Sequence, residues 1–174
     1  MKKIRLVIDD ITRLNVDVIV NAANRTLLGG GGVDGAIHRA AGSGLFEECK
    51  TLGGCATGEA KMTGSHNIKN VKAIIHTVGP IYAGTPADAE ALHRCYVNSL
   101  NLAKENGFHS IAFPSISTGV YGYPLKAAAE VSFKAVSTWL SENEDYPIEV
   151  VFCCYHQGGF HVYQQVMNEN GGNA

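Results

Sequence analysis

The sequence has little charge and no strong excess of either sign. Only 17% of its 174 residues are Asp, Glu, Lys or Arg, and 14 basic against 16 acidic residues give a formal net charge of -2. Without a basic field, the chain lacks the attraction that gathers nucleic acids or anionic membranes. We therefore expect neither a nucleic acid nor a membrane as its main partner.

Long apolar runs, paired cysteines and metal-ligand spacings are also missing. No stretch approaches the roughly 18 consecutive apolar residues of a membrane helix, and the basic start is not followed by the apolar segment and cleavage site of a signal peptide. The five cysteines are odd in number and form no Cys-x-x-Cys pair, which is typical of reduced thiols. We expect a cytoplasmic protein that holds no metal and needs no cofactor.

The chain does contain alternating strand and helix patterns, and 45% of its residues are hydrophobic. Short apolar runs predict strands at 3–9, 16–20, 60–63, 71–78, 110–113 and 148–155. Apolar residues at three- and four-residue spacing predict helices at 37–41, 45–52, 87–106, 125–143 and 160–168, with Gly107 ending the third. This order predicts one three-layer α/β/α domain over residues 1–170, with a mixed, mainly parallel sheet and a frayed tail at 171–174.

Two glycine-containing loops join predicted strands to predicted helices. The first, within residues 21–38, contains four consecutive glycines, and the second, residues 114–124, contains serines, a threonine and two glycines. Glycine allows backbone N–H groups to approach an anion, and a helix N-terminus adds partial positive charge. Because ligands bind at the carboxyl ends of parallel strands, the pair predicts a ligand with two linked phosphates. Simple flexible turns are the alternative.

Common nucleotide motifs do not fit these loops. Residues 30–35 match Gly-x-Gly-x-x-Gly, but no acidic residue ends the next strand about 20 positions on, as a dinucleotide site requires. The chain has no Gly-x-x-x-x-Gly-Lys-Ser/Thr and no Gly-x-Ser-x-Gly, which disfavours triphosphate hydrolases and serine hydrolases. Asp34 would repel phosphate at close range. Its carboxylate suits sugar hydroxyls or a reacting water, with a helix cap as the alternative.

Five motifs in this order resemble the macro domain family, specifically its MacroD-type hydrolase branch. They are DIT (10–12), VIVNAAN (18–24), GGGGVDGAIH (29–38), HTVGP (76–80) and FPSISTGVYGYP (113–124). The resemblance runs from about residue 4 to residue 163 and implies the macro domain fold. The sequence departs from the family at Asp9, where glycine is usual, and in residues 43–66, which are shorter and richer in glycine than in the MacroD-type branch.

The resemblance implies an ADP-ribose site. Asp10 and the backbone N–H of Ile11 would contact the adenine, and Tyr155 would lie beside it, with a place in the core as the alternative. The diphosphate would be held from two sides by Gly31, Gly32 and Val33 of the first loop and by Ser117, Thr118, Gly119 and Val120 of the second.

Three catalytic residues are implied at the distal ribose. Asn24 would fix the ribose hydroxyls, Tyr121 would close over the ring, and a water between Asp34 and a substrate phosphate would attack. His38 is expected on a helix face without a role, with contact to the substrate as the alternative, and His76 is expected in the core rather than as a base.

The activity implied is metal-independent hydrolysis that removes mono-ADP-ribose from Asp or Glu side chains or deacetylates O-acetyl-ADP-ribose. Its partners would be ADP-ribose, the acyl and protein-linked esters of ADP-ribose, and mono-ADP-ribosylated proteins. A non-catalytic ADP-ribose-binding module and an ADP-ribose 1''-phosphate phosphatase are the alternatives. A module that only binds has no reason to keep Asn24, Asp34 and Tyr121 together, so their joint presence favours the enzyme.

Overall fold

Six strands form one sheet in the computed structural model, which describes residues 3–170. The strands are β1 (Ile4–Ile8), β2 (Val18–Ala23), β3 (Ala60–Gly64), β4 (Ala73–Val78), β5 (Ser110–Phe113) and β6 (Glu149–Cys154), and their spatial order is β1-β6-β5-β2-β4-β3. Neighbours are parallel except for β3, which runs antiparallel to β4. The predicted mixed, mainly parallel sheet is confirmed. The tail predicted at 171–174 lies outside the described residues.

Helices cover both faces of this sheet, which confirms the three-layer α/β/α prediction. They are α1 (Gly32–Ala41), α2 (Ser43–Lys50), α3 (Pro86–Glu105), α4 (Leu125–Glu142) and α5 (Gln157–Glu169). Side chains alternate along a strand, so Val18 and Val20 of β2 pack with α3, α4 and α5, whereas Ile19 packs with α1 and α2. Two hydrophobic cores therefore lie on either side of the sheet.

Two predicted boundaries were wrong near the first glycine loop. Helix α1 begins at Gly32, five residues before the predicted start at 37, because glycines in its first turn hide the helical pattern. Strand β2 ends at Ala23, three residues beyond the predicted end, because polar Asn21 interrupts the apolar run. A short 3-10 helix, Ile11–Arg13, was not predicted at all.

One edge of the sheet collects the loops that the sequence singled out. Strands β1, β6, β5, β2 and β4 are parallel and lie in that order, so their carboxyl ends share an edge. Along it follow residues 9–13, Tyr155, the loop 114–124, the loop 24–31 and the segment 79–85. The two glycine loops are neighbours, because β5 pairs directly with β2.

The loops after β4 and β5 are joined across the end of β2. Ser117 Oγ donates a hydrogen bond to the carbonyl of Pro80 (2.8 Å), and the backbone N–H of Tyr82 donates to the carbonyl of Tyr121 (2.8 Å). A Cβ at Gly79 would lie 2.6 Å from the Cγ2 of Ile116, so this close approach requires glycine. These contacts support both flanks of the loop 24–31.

The larger core has an aromatic centre at Phe152 of β6. Its side chain is 1% exposed, and its ring centroid lies 4.7–6.2 Å from four other aromatic rings. These belong to Tyr96, Phe113, Phe133 and Tyr163. Close aromatic pairs add to the stabilisation that burial provides.

Truncation of this centre should be costly. Phe152→Ala should lower the free energy of unfolding by about 3–5 kcal/mol, because it leaves a cavity in the core. Phe46 is a matched control, since its side chain is 39% exposed, and Phe46→Ala should cost less than about 1.5 kcal/mol. Urea unfolding followed by circular dichroism measures both losses. Equal losses in the two variants would contradict the assignment of Phe152 to the packing centre.

Candidate functional site

The loop after β2 is organised by the side chain of Asn24. Its Oδ1 accepts hydrogen bonds from the backbone N–H (3.1 Å) and the hydroxyl (2.6 Å) of Thr26, and its Nδ2 donates to the carbonyl of Gly29 (2.9 Å). An amide nitrogen carries two protons, so one N–H of Asn24 remains for a ligand. The same side chain thus shapes the loop and presents a donor.

Asn24 and Asp34 converge on Gly30. A Cβ at Gly30 would lie 3.1 Å from Asp34 Oδ2 and 3.4 Å from Asn24 Nδ2. Asp34 stands in the first turn of α1, but the helix has no side-chain cap at its N-cap residue Gly31, and the carboxylate bonds instead to Asn21. The structure therefore brings together the two side chains that the sequence analysis placed at the distal ribose.

Asp34 ends a chain of buried hydrogen bonds that crosses three neighbouring strands. Asn21 Nδ2 of β2 donates to Asp34 Oδ1 (2.9 Å) and lies 3.1 Å from His76 Nδ1 of β4, with which Asn21 is in register. His76 Nε2 lies 2.9 Å from Thr63 Oγ1 of β3, and that hydroxyl donates to the carbonyl of Gly64 (3.0 Å). Asn21, His76 and Thr63 are all buried.

The direction of each bond in this chain follows from the donors available. Because the Thr63 proton goes to a carbonyl, Thr63 Oγ1 must accept from His76 Nε2–H. His76 Nδ1 is then an acceptor and receives the second N–H of Asn21. A rotated Asn21 amide would set its oxygen against the Asp34 carboxylate and against the lone pair of His76. The chain therefore fixes Asn21 as a donor to Asp34.

His76 is a neutral core histidine, as the sequence predicted. Burial, followed by the charge of His38, lowers the pKa of His76 to about 3. Asn21 had no predicted role. The only indication in the sequence is a single amide at an inward position of an otherwise apolar strand. The register that places Asn21 beside His76 arises only in the folded sheet.

His38 also faces Asp34, so the helix face on which it lies is the inner face of α1, next to the candidate site. Its Nε2 lies 3.4 Å from Asp34 Oδ1, and its side chain is 13% exposed. Residues four apart lie on the same helix face, and Asp34 is on the inner face of α1. His38 and Asn21 both approach Oδ1, which leaves Oδ2, the oxygen nearest Gly30, for a ligand or a water.

Burial raises the pKa of Asp34 above its ordinary value, and the hydrogen bond from Asn21 and the charge of His38 offset part of this increase. A carboxylate with a raised pKa holds a proton more strongly than an exposed aspartate does. Asp34 is therefore suited to accept a proton from a bound water.

The first glycine loop carries backbone N–H groups that the helix leaves without a partner, next to Asp34. Gly31 is the N-cap residue of α1, and the N–H groups of Gly32 and Val33 have no carbonyl partner within the helix. Nothing lies within 4 Å of a Cβ built on Gly31 or on Gly32. The φ of Gly32 is +58°, a left-handed conformation that glycine adopts without strain. This arrangement is suited to bind an anion.

The second loop offers backbone donors, whereas its hydroxyls already bond to the protein. Ser117 Oγ donates to Pro80, and Thr118 Oγ1 lies 3.0 Å from the carbonyl and 2.8 Å from the hydroxyl of Ser115. The N–H groups of Thr118, Gly119 and Val120 bond to no backbone carbonyl among residues 3–170. Val120 is fully exposed, so this stretch lies at the mouth of the site.

Asp10 and Ile11 lie at the opposite end of the edge, after β1. Asp10 Oδ1 accepts hydrogen bonds from the N–H (3.0 Å) and the hydroxyl (2.7 Å) of Thr12. The hydroxyl contact is the main reason why the pKa of Asp10 is lowered. Its other oxygen remains available to an amino group. Asp9 accepts the N–H of Asp10 (2.7 Å) and does not adopt a positive φ, so this turn does not require the glycine that is usual in the family.

Tyr155 and Tyr121 occupy two further positions along the edge. Tyr155 follows β6, which pairs with β1, and it is 87% exposed, so the alternative of a core aromatic was wrong. Tyr121 lies in the loop after β5 and borders a cavity that also contacts Arg25. Tyr155 thus lies on the side of Asp10, and Tyr121 on the side of Asn24.

Metal ligands do not cluster in the part of the chain that the structure describes: no group of three or more His, Cys, Asp or Glu side chains could hold an ion there. The five cysteines are buried and unpaired, and burial raises the pKa of the Cys49 thiol to about 11. A search of the helices within residues 3–170 finds none with the length and apolarity needed to span a membrane.

Acid should destabilise the protein through His76. Its folded-state pKa of about 3 lies below its ordinary value of about 6.5, so the unfolded chain binds the proton first. Its contribution to stability is full above about pH 6.5 and is lost as the pH falls toward 3. Between pH 7 and pH 4 the wild type should lose about 2–3 kcal/mol more than His76→Gln, whose amide does not titrate.

Denaturant unfolding at several pH values measures this difference. The wild type and His76→Gln share every other titrating group, so their difference reports on the imidazole. Parallel pH profiles for the two proteins would show that His76 is already protonated, or solvated, in the native state.

Comparisons with known proteins find relatives that cover most of the chain. A family model described as Macro domain matches residues 20–132. The chain is 52% identical over 162 residues to ADP-ribose glycohydrolase MACROD2 of Xenopus laevis, covering 92% of this chain and 38% of that protein. It is 48% identical over 174 residues to O-acetyl-ADP-ribose deacetylase of Citrobacter rodentium, covering 97% of both. The chain thus spans less than half the length of the first relative.

Solved structures of macrodomains share the fold. A macrodomain variant from Oceanobacillus iheyensis with ADPR superposes with a TM-score of 0.91 at 41% identity, covering 97% of this chain and 93% of that one. A Trypanosoma brucei macrodomain in complex with ADP-ribose superposes with a TM-score of 0.88 at 40% identity, covering 94% of this chain and 68% of that one.

Proposed function

This chain belongs to the macro domain family, and on that premise we propose that it is a hydrolase of ADP-ribose derivatives. It removes mono-ADP-ribose from Asp or Glu side chains of proteins, or deacetylates O-acetyl-ADP-ribose. The relatives named ADP-ribose glycohydrolase and O-acetyl-ADP-ribose deacetylase support this activity. The observation in this chain that best supports the activity is the buried Asp34 carboxylate, whose Oδ2 lies beside Gly30, as does Asn24 Nδ2.

The order of the loops along the sheet edge matches the order of groups in ADP-ribose. Adenine lies at Asp10 and Tyr155, after β1 and β6. The diphosphate lies between the N–H groups of the two glycine loops, and a helix N-terminus supplies partial positive charge there. The distal ribose then lies at the end of β2, where Asn24 donates its remaining N–H and Tyr121 packs against the sugar.

In the reaction, Asp34 Oδ2 takes a proton from a water that a substrate phosphate also contacts. The water oxygen forms a bond to the acyl carbon or to the anomeric carbon, the ester C–O bond breaks, and the proton passes to the departing oxygen. The products are ADP-ribose and a carboxylic acid. Most of the rate comes from the fixed positions of water, phosphate and carboxylate, an effect that can reach about 7 kcal/mol or more in well-oriented systems.

Asn21 and His76 are positioning residues in this reaction. Asn21 holds Oδ1 of Asp34 and so directs Oδ2 to the water, while neutral His76 keeps the Asn21 amide from rotating. The route uses no metal ion and no cofactor. A cytoplasmic location is part of the same proposal, and the unpaired, buried thiols support it.

Removal of the Asp34 charge tests the catalytic assignment. Asp34→Asn should lower kcat at least about 100-fold, the usual contribution of a general base, while ADP-ribose binds within about threefold of the wild-type Kd because the amide is isosteric. Substrates are a Glu-linked mono-ADP-ribosylated peptide and O-acetyl-ADP-ribose, with ADP-ribose release followed by chromatography and binding by calorimetry.

Asp17→Asn is the matched control, since Asp17 lies at the amino end of β2, where it pairs with Lys72. It should leave turnover within about twofold of wild type. Full activity of Asp34→Asn would remove this carboxylate from the mechanism. If the wild type binds ADP-ribose but releases no product, the chain is a binding module. Phosphate release from ADP-ribose 1''-phosphate alone would instead indicate a phosphatase.

A further inference from the structure

A cavity of about 400 Å³ lies beside the distal-ribose end of the site, and the proposed reaction does not use it. It opens at the carboxyl end of β4, between residues 79–81 and the first half of α3. Tyr121, Arg25, Thr57 and Arg94 also line it.

The cavity lies on the side of the site toward which the leaving group of the proposed reaction would extend. Adenine, diphosphate and ribose follow the strand order β1, β6, β5 and β2, and β4 is the next strand. A group attached to the distal ribose therefore extends out of the ADP-ribose site toward β4. Tyr121, which packs against the ribose in the proposed complex, also lines the cavity, so the two sites are adjacent.

The charged groups around the cavity favour an anionic occupant. Arg25 makes no ion pair with any residue in the described range 3–170, and Arg94 Nη1 lies 4.0 Å from the exposed carboxylate of Glu90, a contact that stabilises little. The other acidic group, Asp88, accepts hydrogen bonds from three consecutive backbone N–H groups at the start of α3. Glu90 and Asp88 line the same cavity, but Arg25 is unpaired among the described residues and Arg94 only weakly paired, so both guanidinium groups can bind an anion.

Glycines in the connection from α2 to β3 lie against the backbone of Arg25 and the guanidinium group of Arg94. A Cβ at Gly54, whose φ is +82°, would lie 2.8 Å from the carbonyl of Arg25, which also accepts the N–H of Cys55 (2.9 Å). A Cβ at Gly58 would lie 2.6 Å from Arg94 Nη2. Glycine at position 54 therefore allows the close approach to the Arg25 backbone, and glycine at position 58 leaves room for the Arg94 guanidinium group.

We propose that this cavity receives the protein part of the substrate, as an acidic peptide segment around the esterified Asp or Glu. Arg25 and Arg94 bind carboxylates of the residues that flank the ester, since guanidinium groups form charge-assisted, often bidentate hydrogen bonds with carboxylates. This inference rests on the proposed hydrolysis of protein-linked ADP-ribose and names the sequence context that the enzyme selects.

The test compares two peptides, each with one Glu-linked mono-ADP-ribose, flanked in one by Asp and Glu and in the other by Asn and Gln. The wild type should have a KM about fivefold lower for the acidic peptide, as expected for two partly exposed charge contacts. The preference should shrink when NaCl is raised from about 50 to about 500 mM, because salt screens exposed charges. Arg25→Gln/Arg94→Gln should abolish it.

Arg5→Gln/Lys134→Gln is the control, because it removes the same net charge from β1 and α4, and it should keep the preference. Peptide Kd values, measured by fluorescence anisotropy on Asp34→Asn, test the inference without turnover. Equal KM and equal Kd for the two peptides in the wild-type and Asp34→Asn backgrounds would overturn the acidic-segment proposal while leaving the hydrolase proposal intact. Absence of turnover for both peptides and for O-acetyl-ADP-ribose would overturn the hydrolase proposal, and the Kd comparison would still decide the preference.

Discussion

The site depends on one constraint: a carboxylate shielded from water must receive hydrogen bonds from the protein. Asp34 receives its bond from Asn21, and Asn21 is held by His76 and Thr63. A charged group without such partners loses much of its ionised form. In this chain the donor is a neutral amide, and both its hydrogen bond and the charge of the neighbouring His38 lower the pKa that burial raises. Burial therefore supplies the basicity of Asp34, and the Asn21 amide supplies its fixed direction.

Much of the architecture could be predicted from local patterns. The strand at 110–113 matches β5 residue for residue, and the long helices end within a residue or two of the prediction, because their apolar spacing is regular and their ends carry glycine or proline. The predicted element boundaries were least accurate at α1 and β2, the elements that position the residues of the site. The start of α1 is built from glycine, and the end of β2 is polar, so neither shows the periodicity that marks its element.

The contacts between residues of the site were harder to predict from the sequence than the identity of those residues. Asn24, Asp34 and Tyr121 were identified from a resemblance, but the contact of His38 with Asp34 depends on the helical phase that a start at Gly32 sets. The bond from Asn21 to His76 depends on the register of β2 with β4. Register joins residues that are far apart in sequence, and no local pattern in either strand specifies it.

The buried chain that begins at Thr63 gives strand β3 an unusual position. The residues of an antiparallel edge strand can ordinarily be substituted on both faces, and protein engineers often extend or replace such strands. Here one hydroxyl of that strand ends the series of bonds that passes through His76 of β4 and Asn21 of β2 and orients Asp34 of α1. Natural or designed substitutions in this edge strand would therefore change the orientation of Asp34, and with it the reaction, before they changed the fold.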